Sequence, residues 1–205
     1  MDSKAHWTEV YTGKTPDQVS WYQINPENSL SLTEASRVEK DAPILDVGGG
    51  ASVLVDRLLE KGFTRISVLD LSGPALEYSK KRLGADARKV RWIEDDITLH
   101  TPEPVSLWHD RAVFHFLTQE EDRLKYLQVL NRSLAPGGHL ILATFALDGP
   151  KRCSGLDTVQ YSSESLSETL GSRYQLQEFR TETHRTPWNS EQKFIYCRYM
   201  ALPGS

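Results

Sequence analysis

Three consecutive glycines directly after a short apolar segment constrain the fold of this chain more than any other feature of its sequence. Residues 43–47 (Pro-Ile-Leu-Asp-Val) predict a buried strand, and Gly48, Gly49 and Gly50 follow at once. Apolar residues at helical spacing then predict a helix over 52–61. A strand, a glycine turn and a helix in this order predict a parallel α/β unit, in which ligands bind at the carboxyl ends of the strands.

The same alternation of strands and helices continues along the chain and predicts a parallel sheet covered by helices. Ser72 and Thr118 have side chains that suit helix N-caps. The predicted elements are strands over 65–70, 90–93, 105–109, 139–145, 174–183 and 192–200, with helices over 73–83, 119–134 and 163–170.

The composition predicts one globular domain over residues 1–205. The chain has 39% hydrophobic and 25% charged residues, and its length suffices for a sizeable core. We expect residues 1–40 to form a helical lid beside a core over 43–200. Two cysteines, Cys153 and Cys197, predict no disulfide framework, which fits a cytoplasmic location.

Charge and hydropathy argue against several classes of partner. No apolar stretch approaches the roughly 18 residues that a membrane span needs, and the first ten residues lack the apolar region of a secretory signal. The net charge of -4 argues against nonspecific binding to nucleic acid or to an anionic membrane. The six histidines show no metal-ligand spacing, so we expect no metal. The sequence does not indicate an oligomeric state.

The glycine run resembles motif I of the class I S-adenosylmethionine-dependent methyltransferases. Asp46, Gly48 and Gly50 match the acidic residue and the glycines of that motif, whereas Ser52 replaces its last glycine. A dinucleotide-binding loop would instead need a glycine at the position of Val53, which argues against NAD. The resemblance implies that S-adenosylmethionine is the cofactor and that Gly49 also lies against it.

The resemblance also implies roles for the ends of the next two strands. Asp70, followed by Leu71, would accept hydrogen bonds from the ribose hydroxyls. Asp96 would face the adenine amino group and the backbone N–H of Ile97 would meet the ring, with Asp95 as the competitor of Asp96.

The match covers about 43–145, and the last two predicted strands match the family's antiparallel hairpin. It implies a Rossmann-like three-layer α/β sandwich with a mostly parallel seven-stranded sheet and a terminal antiparallel hairpin.

The segment after the fourth strand is dense in polar side chains and is expected to face the transferred methyl group. We predict that Asp110 and Arg111 line the cofactor or acceptor pocket and that His115 is a general base. Alternatively, His115 packs under the lid, and Asp110 and Arg111 form a structural ion pair.

Residues from three further segments are candidates for the acceptor pocket. Aromatic faces can surround a cation or an apolar acceptor, although the same rings also suit packing of the lid. Cys153 is either a reactive thiol or a small buried residue. The candidate residues are Trp7, Tyr11, Trp21, Tyr22, Cys153, Tyr161 and His184.

Three functions are compatible with these motifs. The first is methyl transfer to a small molecule, for which a thiol or other sulfur acceptor would need little base catalysis because a thiolate is already a good nucleophile. The second is lysine methylation of a protein, where an acidic rim would attract a basic partner. The third is a non-catalytic cofactor-binding protein.

Overall fold

A computed structural model describes residues 3–101 and 103–203. Three short 3-10 helices cover Pro16–Gln18, Gly84–Lys89 and Phe114–Phe116. The α-helices are α1 (Ser3–Gly13), α2 (Glu27–Ser36), α3 (Leu54–Glu60), α4 (Gly73–Leu83), α5 (Glu120–Ser133) and α6 (Ser163–Leu170). The strands are β1 (Ile44–Val47), β2 (Ile66–Asp70), β3 (Val90–Glu94), β4 (Val105–Arg111), β5 (Leu134–Phe145), β6 (Arg152–Cys153), β7 (Leu156–Asp157), β8 (Tyr174–Arg185) and β9 (Glu191–Ala201).

Seven strands form one sheet in the order β3-β2-β1-β4-β5-β9-β8. The first five strands in this order are parallel, whereas β9 pairs antiparallel with both β5 and β8. The order of the strands along the chain reverses between β1 and β4, where Asp46 pairs with His109 and Val47 with Asp110. Such a reversal opens a crevice at the carboxyl ends of the two strands, which is where ligands bind in open α/β sheets.

Alternating side chains of the sheet divide the core into two apolar clusters. Leu45 and Trp108 belong to the cluster that includes α5 and α6, whereas Ile44 and Leu107 belong to the cluster that includes α2, α3 and α4. Because successive residues of a strand point to opposite faces, helices cover both sides of the sheet. The three-layer sandwich with a terminal antiparallel hairpin is therefore confirmed.

Element boundaries differ from the predictions around β4 and β5. β4 runs to Arg111, two residues beyond its predicted end. The N-cap of α5 is Gln119 rather than Thr118, while Ser72 caps α4 as predicted, accepting a hydrogen bond from the backbone N–H of Ala75. β5 begins at Leu134 rather than His139, because a register shift opposite Val105 and Leu107 lets the strand pass through the Pro-Gly-Gly turn.

The described part of the segment before β1 contains α1, a 3-10 helix and α2, and polar contacts with its backbone hold it to the sheet, while its role as a lid stays a prediction. Arg111 Nη1 donates to the carbonyl oxygen of Trp21 at 2.9 Å, and His184 Nε2 lies 2.7 Å from that of Ser20. Among the described residues, no helix combines the length and apolar character that a bilayer crossing requires.

Candidate cofactor and acceptor site

The loop after β1 is shaped by close approaches that only glycine permits. Gly48 has a φ of +69°, and a Cβ atom there would lie 2.1 Å from the Val113 side chain. A Cβ atom at Gly49 would lie 2.1 Å from Oδ2 of Asp46. Since real Cβ atoms do not approach this closely, any side chain at either position would displace the loop. Glycine at both positions therefore lets the loop pack closely against the side chains of Val113 and Asp46.

Two cavities meet at this loop and share Tyr11, Trp21, Val47, Gly48 and Arg111. The smaller cavity has a volume of about 40 Å³ and includes Asp46 and Gly49 in its wall. The larger has a volume of about 490 Å³ and extends along the ends of β2 and β3. Its wall includes four of the predicted cofactor-binding residues, Asp70, Leu71, Asp96 and Ile97. Gly50 lines neither cavity, but its backbone N–H donates to Asp70 Oδ2 at 3.0 Å.

Asp70 is a buried carboxylate at the end of β2. In addition to the bond from Gly50, it accepts one from the backbone N–H of Ser72 at 2.8 Å. Burial raises its pKa to about 6, against the lowering effect of these two hydrogen bonds. Each carboxylate oxygen has a further lone pair, so Asp70 can still accept from ribose hydroxyls.

The carboxylates after β3 both have local partners. Asp96 Oδ1 accepts from the backbone N–H and the hydroxyl of Thr98, each at 2.8 Å. Asp95 Oδ2 lies 2.6 Å from Nδ1 of His100. Both carboxylates still line the larger cavity, so their roles toward adenine stay a prediction.

Asp46 provides the test of whether the site fits the cofactor. Its Oδ1 lies 2.7 Å from Nδ1 of His109, whereas its Oδ2 is buried without a hydrogen-bond partner in the described part of the chain. A buried carboxylate oxygen without a partner can accept a hydrogen bond from a donor group of a ligand that reaches it. The ammonium group of S-adenosylmethionine is a donor of this kind, and the adjoining larger cavity can hold the nucleoside.

Arg111 lies at the junction of the two cavities. Its Nε donates to the Tyr196 hydroxyl at 2.8 Å, and its Cζ lies 4.6 Å from the centre of the Phe194 ring. Its Nη2 is buried and has no partner among residues 3–101 and 103–203. The guanidinium is therefore held in place while one nitrogen is available to a ligand.

Asp110 does not line either cavity, contrary to the prediction, and it forms no ion pair with Arg111. Its Oδ2 accepts from the Tyr126 hydroxyl at 2.7 Å, and its Oδ1 accepts from the backbone N–H of Val113 at 3.0 Å. Burial raises its pKa to about 6. The carboxylate therefore fixes the turn after β4 rather than the acceptor.

His115 is fully buried and lines neither cavity, so the geometry does not support its predicted role as a general base. Its Nδ1 accepts from the backbone N–H of Phe145 at 3.2 Å. Burial lowers its pKa to about 3, with a smaller contribution from the Arg111 charge. The imidazole is neutral and packs in the core, which corresponds to the alternative interpretation.

The candidate acceptor residues divide into two groups. Trp7, Tyr11 and Trp21 line the larger cavity, and Tyr22 lines the smaller one. The other three candidates are buried and line neither of these cavities: Cys153, Tyr161 and His184.

Specific contacts explain the positions of these three residues. Cys153 Sγ lies 3.6 Å from the Ser20 hydroxyl, and burial raises the pKa of the thiol. Tyr161 packs at a tilt against Phe114 in the core. His184 holds the backbone of Ser20, as described above. These side chains therefore support the walls of the site rather than its surface.

Sequence reasoning missed His109 and Ser29, which both line the smaller cavity. Parallel pairing of β1 with β4 places His109 directly beside Asp46, so aligning the two strand ends would have identified it. Ser29 lies in α2, and no local signal relates that helix to the loop. Within the described ranges, no cluster of His, Cys, Asp or Glu side chains could hold a metal ion.

Comparisons with known proteins relate part of the chain to methyltransferases. A methyltransferase domain family matches residues 45–140. The ubiquinone biosynthesis O-methyltransferase of Vibrio cholerae is 23% identical over 123 residues, which cover 60% of this chain and 50% of the relative. The cypemycin N-terminal methyltransferase of a Streptomyces species is 32% identical over 100 residues, which cover 48% of this chain and 40% of the relative. The matched segment thus spans about half the length of these curated relatives or less.

Solved structures match over nearly the whole chain. The N-methyltransferase NodS of Bradyrhizobium japonicum, solved with S-adenosyl-L-homocysteine, has a TM-score of 0.72 at 17% identity and covers 98% of this chain and 99% of NodS. A structure from work on the conversion of a disulfide bond into a thioacetal group during echinomycin biosynthesis has a TM-score of 0.77 at 17% identity, covering 98% and 93% of the two chains. Residues 45–140 of this chain therefore match a methyltransferase domain, and its fold is that of the S-adenosylmethionine-dependent methyltransferases.

Proposed function

We propose that this protein transfers the methyl group of S-adenosylmethionine to the sulfur of a small-molecule thiolate. The observation that carries the proposal is the fixed Arg111 guanidinium, which lies where the two cavities meet beside Gly48. The aromatic side chains of Trp7 and Trp21 line the same region. The larger cavity also contains carboxylates, so the proposal requires the acceptor to lie beside Arg111 and these two aromatic side chains: the carboxylates are those of Asp70, Asp95, Asp96, Asp122 and Asp157.

Charge balance favours an anionic nucleophile over an amine. The cofactor's sulfonium is positively charged, and a second fixed cation nearby raises the free energy of the complex unless an anion lies close to both. Attack by a thiolate converts one negative and one positive charge into two neutral thioethers. Attack by a neutral amine yields an ammonium ion beside Arg111, which is electrostatically unfavourable.

The protonation states of the site agree with this choice. Asp110 and His115, the two candidate proton acceptors after β4, are both bound within the core. A thiolate needs no proton removal at the moment of attack, and a nearby guanidinium lowers the pKa of a thiol. The acceptor's sulfur lone pair forms the new carbon–sulfur bond while the S–CH3 bond of the cofactor breaks and its electron pair stays on the departing sulfur.

The carboxylates at the edge of the larger cavity do not provide a strong attraction for a lysine side chain. Asp122 and Asp157 are exposed and have cationic neighbours, with Lys125 3.6 Å from the former and Arg152 3.1 Å from the latter. Exposed and paired carboxylates contribute little to binding. Lysine methylation and cofactor binding without turnover are therefore the alternatives that the experiment must separate.

Transfer of a labelled methyl group from S-adenosylmethionine provides the test. The protein is incubated with matched alkyl and aryl thiols, amines and phenols, and in parallel with a small-molecule extract and a protein extract. We expect label in the thiols and in the small-molecule extract. Label confined to the protein extract or to amines would overturn the sulfur assignment, and cofactor binding without transfer to any acceptor would favour the non-catalytic alternative.

A further inference from the structure

Ser29, His109 and Asp46 form a continuous chain of hydrogen bonds beneath the glycine loop. The Ser29 hydroxyl lies 2.8 Å from His109 Nε2, and His109 Nδ1 lies 2.7 Å from Asp46 Oδ1. The three residues come from α2, β4 and β1, and each is at most 3% exposed. All three also line the smaller cavity. The N-terminal helix α2 is thereby connected to the acidic residue of the cofactor loop.

Hydrogen-bonding capacity fixes the direction of the bond to Asp46. A carboxylate oxygen accepts, so His109 Nδ1–H donates to Asp46 Oδ1. The Ser29 hydroxyl can donate to His109 Nε2 or accept from it, so it holds the ring in either case. Both ring nitrogens are satisfied in this arrangement, and the orientation of the Asp46 carboxylate is fixed from outside the cavity.

The arrangement directs the second oxygen of Asp46 toward the ligand. Oδ2 lies beneath Gly49, where an added Cβ atom would come within 2.1 Å of it. No described residue donates a hydrogen bond to this buried oxygen. An unsatisfied buried acceptor is unfavourable, and more so when it is charged, so a cationic donor that reaches it is bound favourably.

We propose that His109 and Ser29 are positioning residues that hold Asp46 Oδ2 toward the ammonium group of the cofactor's amino-acid end. This role of His109 and Ser29 depends on S-adenosylmethionine being the cofactor and is independent of which atom accepts the methyl group. It makes helix α2 part of the cofactor site, because the loss of Ser29 frees the imidazole that orients Asp46.

The order of Ser, His and Asp also occurs in hydrolases, but this cavity does not suit acyl transfer. Ser29 is 1% exposed, so its hydroxyl is not accessible as a nucleophile.

Two ligands that differ in the amino-acid end distinguish positioning from general structural support. S-adenosylhomocysteine has the ammonium and carboxylate groups, whereas 5′-methylthioadenosine has the same nucleoside and thioether without them. Calorimetry with the full chain would give both dissociation constants for the wild type, His109→Leu, His109→Asn and Ser29→Ala. No turnover is needed, so failure of the thiol proposal would not affect the result.

We expect His109→Leu to raise the dissociation constant of S-adenosylhomocysteine about tenfold or more, consistent with the loss of a charge-assisted hydrogen bond. The constant for 5′-methylthioadenosine should change by less than about threefold. The amide nitrogen of His109→Asn can replace the Nδ1 donor and should recover part of the loss, and Ser29→Ala should have a smaller effect in the same direction.

Equal weakening of both ligands, or no weakening of either, would overturn the proposal. If His109→Leu fails to fold, the other two variants carry the test, since binding of 5′-methylthioadenosine reports an intact nucleoside site. In that case, the same comparison of the two ligands applies to Ser29→Ala and His109→Asn.

Discussion

His115 Nδ1 accepts the backbone N–H of Phe145 at 3.2 Å, and the two rings stack with their centroids 4.3 Å apart. The backbone carbonyl of His115 also accepts from the N–H of Val159 at 2.8 Å. These contacts join the turn after β4 to β5 and to the segment before α6. His115, which the sequence predicted as a general base, therefore contributes to the packing of the sheet.

Substitution of His115 separates these two roles. His115→Leu leaves the buried N–H of Phe145 without its acceptor, and we expect the free energy of unfolding to fall by about 1–3 kcal/mol. The turnover number should stay within about threefold of the wild type, since a histidine whose pKa is lowered to about 3 is neutral throughout the working range. Urea denaturation and steady-state kinetics on one preparation would test this, and a hundredfold loss of turnover without a loss of stability would contradict it.

The ends of the parallel strands could be predicted from the sequence, whereas the turn after β4 could not. Asp46, Asp70 and Asp96 follow apolar runs, and parallel pairing brings their positions to one edge of the sheet. After Arg111, however, Ala112 adopts a φ of +70°, although it is not a glycine. The side-chain alternation of β4 ends there, so the directions of later side chains cannot be read from the strand period.

Contacts between residues far apart in the chain also could not be predicted from the sequence. The bond between Arg111 and the carbonyl oxygen of Trp21 joins residues 90 positions apart, and it depends on how the N-terminal segment packs. An aromatic-rich segment indicates burial against the core without specifying which rings face a ligand. Only the structure shows that Tyr22 lines the smaller cavity and Trp7 the larger one.

The raised pKa of Asp70 predicts a pH dependence of cofactor affinity. The ionised carboxylate is the better acceptor for ribose hydroxyls, and burial raises its pKa to about 6, with smaller contributions from the charges of Asp46 and Glu94. At pH 5 only about a tenth of a group with this pKa is ionised, so the dissociation constant of S-adenosylhomocysteine should rise up to about tenfold relative to pH 7.5. Calorimetry at a series of pH values would measure it.

The sign of the stability effect is opposite to that of affinity. Because the folded-state pKa of Asp70 lies above its usual value of 3.8, the folded chain binds this proton more tightly than the unfolded chain. The free energy of unfolding therefore falls as the pH rises from about 4 to 6, because Asp70 gives up its proton less readily in the folded chain. Asp70→Asn should bind the ligand more weakly at pH 7.5 and show no such dependence, and a flat profile for the wild type would disprove the ribose assignment.

Gly49 offers a steric test of the cofactor loop. In Gly49→Ala, the new methyl group must displace Asp46 Oδ2, which lies 2.1 Å from its ideal position. We expect a loss of stability of about 1–3 kcal/mol and at least tenfold weaker binding of S-adenosylhomocysteine. Gly13→Ala is the matched control, because no atom lies within 4 Å of its added Cβ. Thermal unfolding and calorimetry on both variants would show whether binding falls only at Gly49.

Arg111 is the residue that distinguishes an anionic acceptor from other nucleophiles. Arg111→Met retains much of the side chain's length and its contact with Phe194 but removes the charge and the donors to Tyr196 and Trp21. We expect kcat/KM for a thiol acceptor to fall about 10- to 100-fold, the size of one lost charge-assisted hydrogen bond to the transition state. The effect should shrink at alkaline pH, where thiols ionise without help from the guanidinium.

Two controls show whether a fall in kcat/KM of Arg111→Met reflects the lost charge and whether it concerns the acceptor or the cofactor. Tyr196→Phe removes the acceptor of the Arg111 Nε–H bond but keeps the charge, so it should reduce kcat/KM much less than Arg111→Met. Measurement of S-adenosylhomocysteine binding to Arg111→Met distinguishes a role toward the acceptor from a role toward the cofactor. If Arg111 binds the acceptor, the dissociation constant of S-adenosylhomocysteine should stay within about threefold of the wild type. A large loss of cofactor affinity with unchanged turnover at saturation would instead place the cofactor's carboxylate at Nη2. The charge argument for a thiolate would then lose its basis.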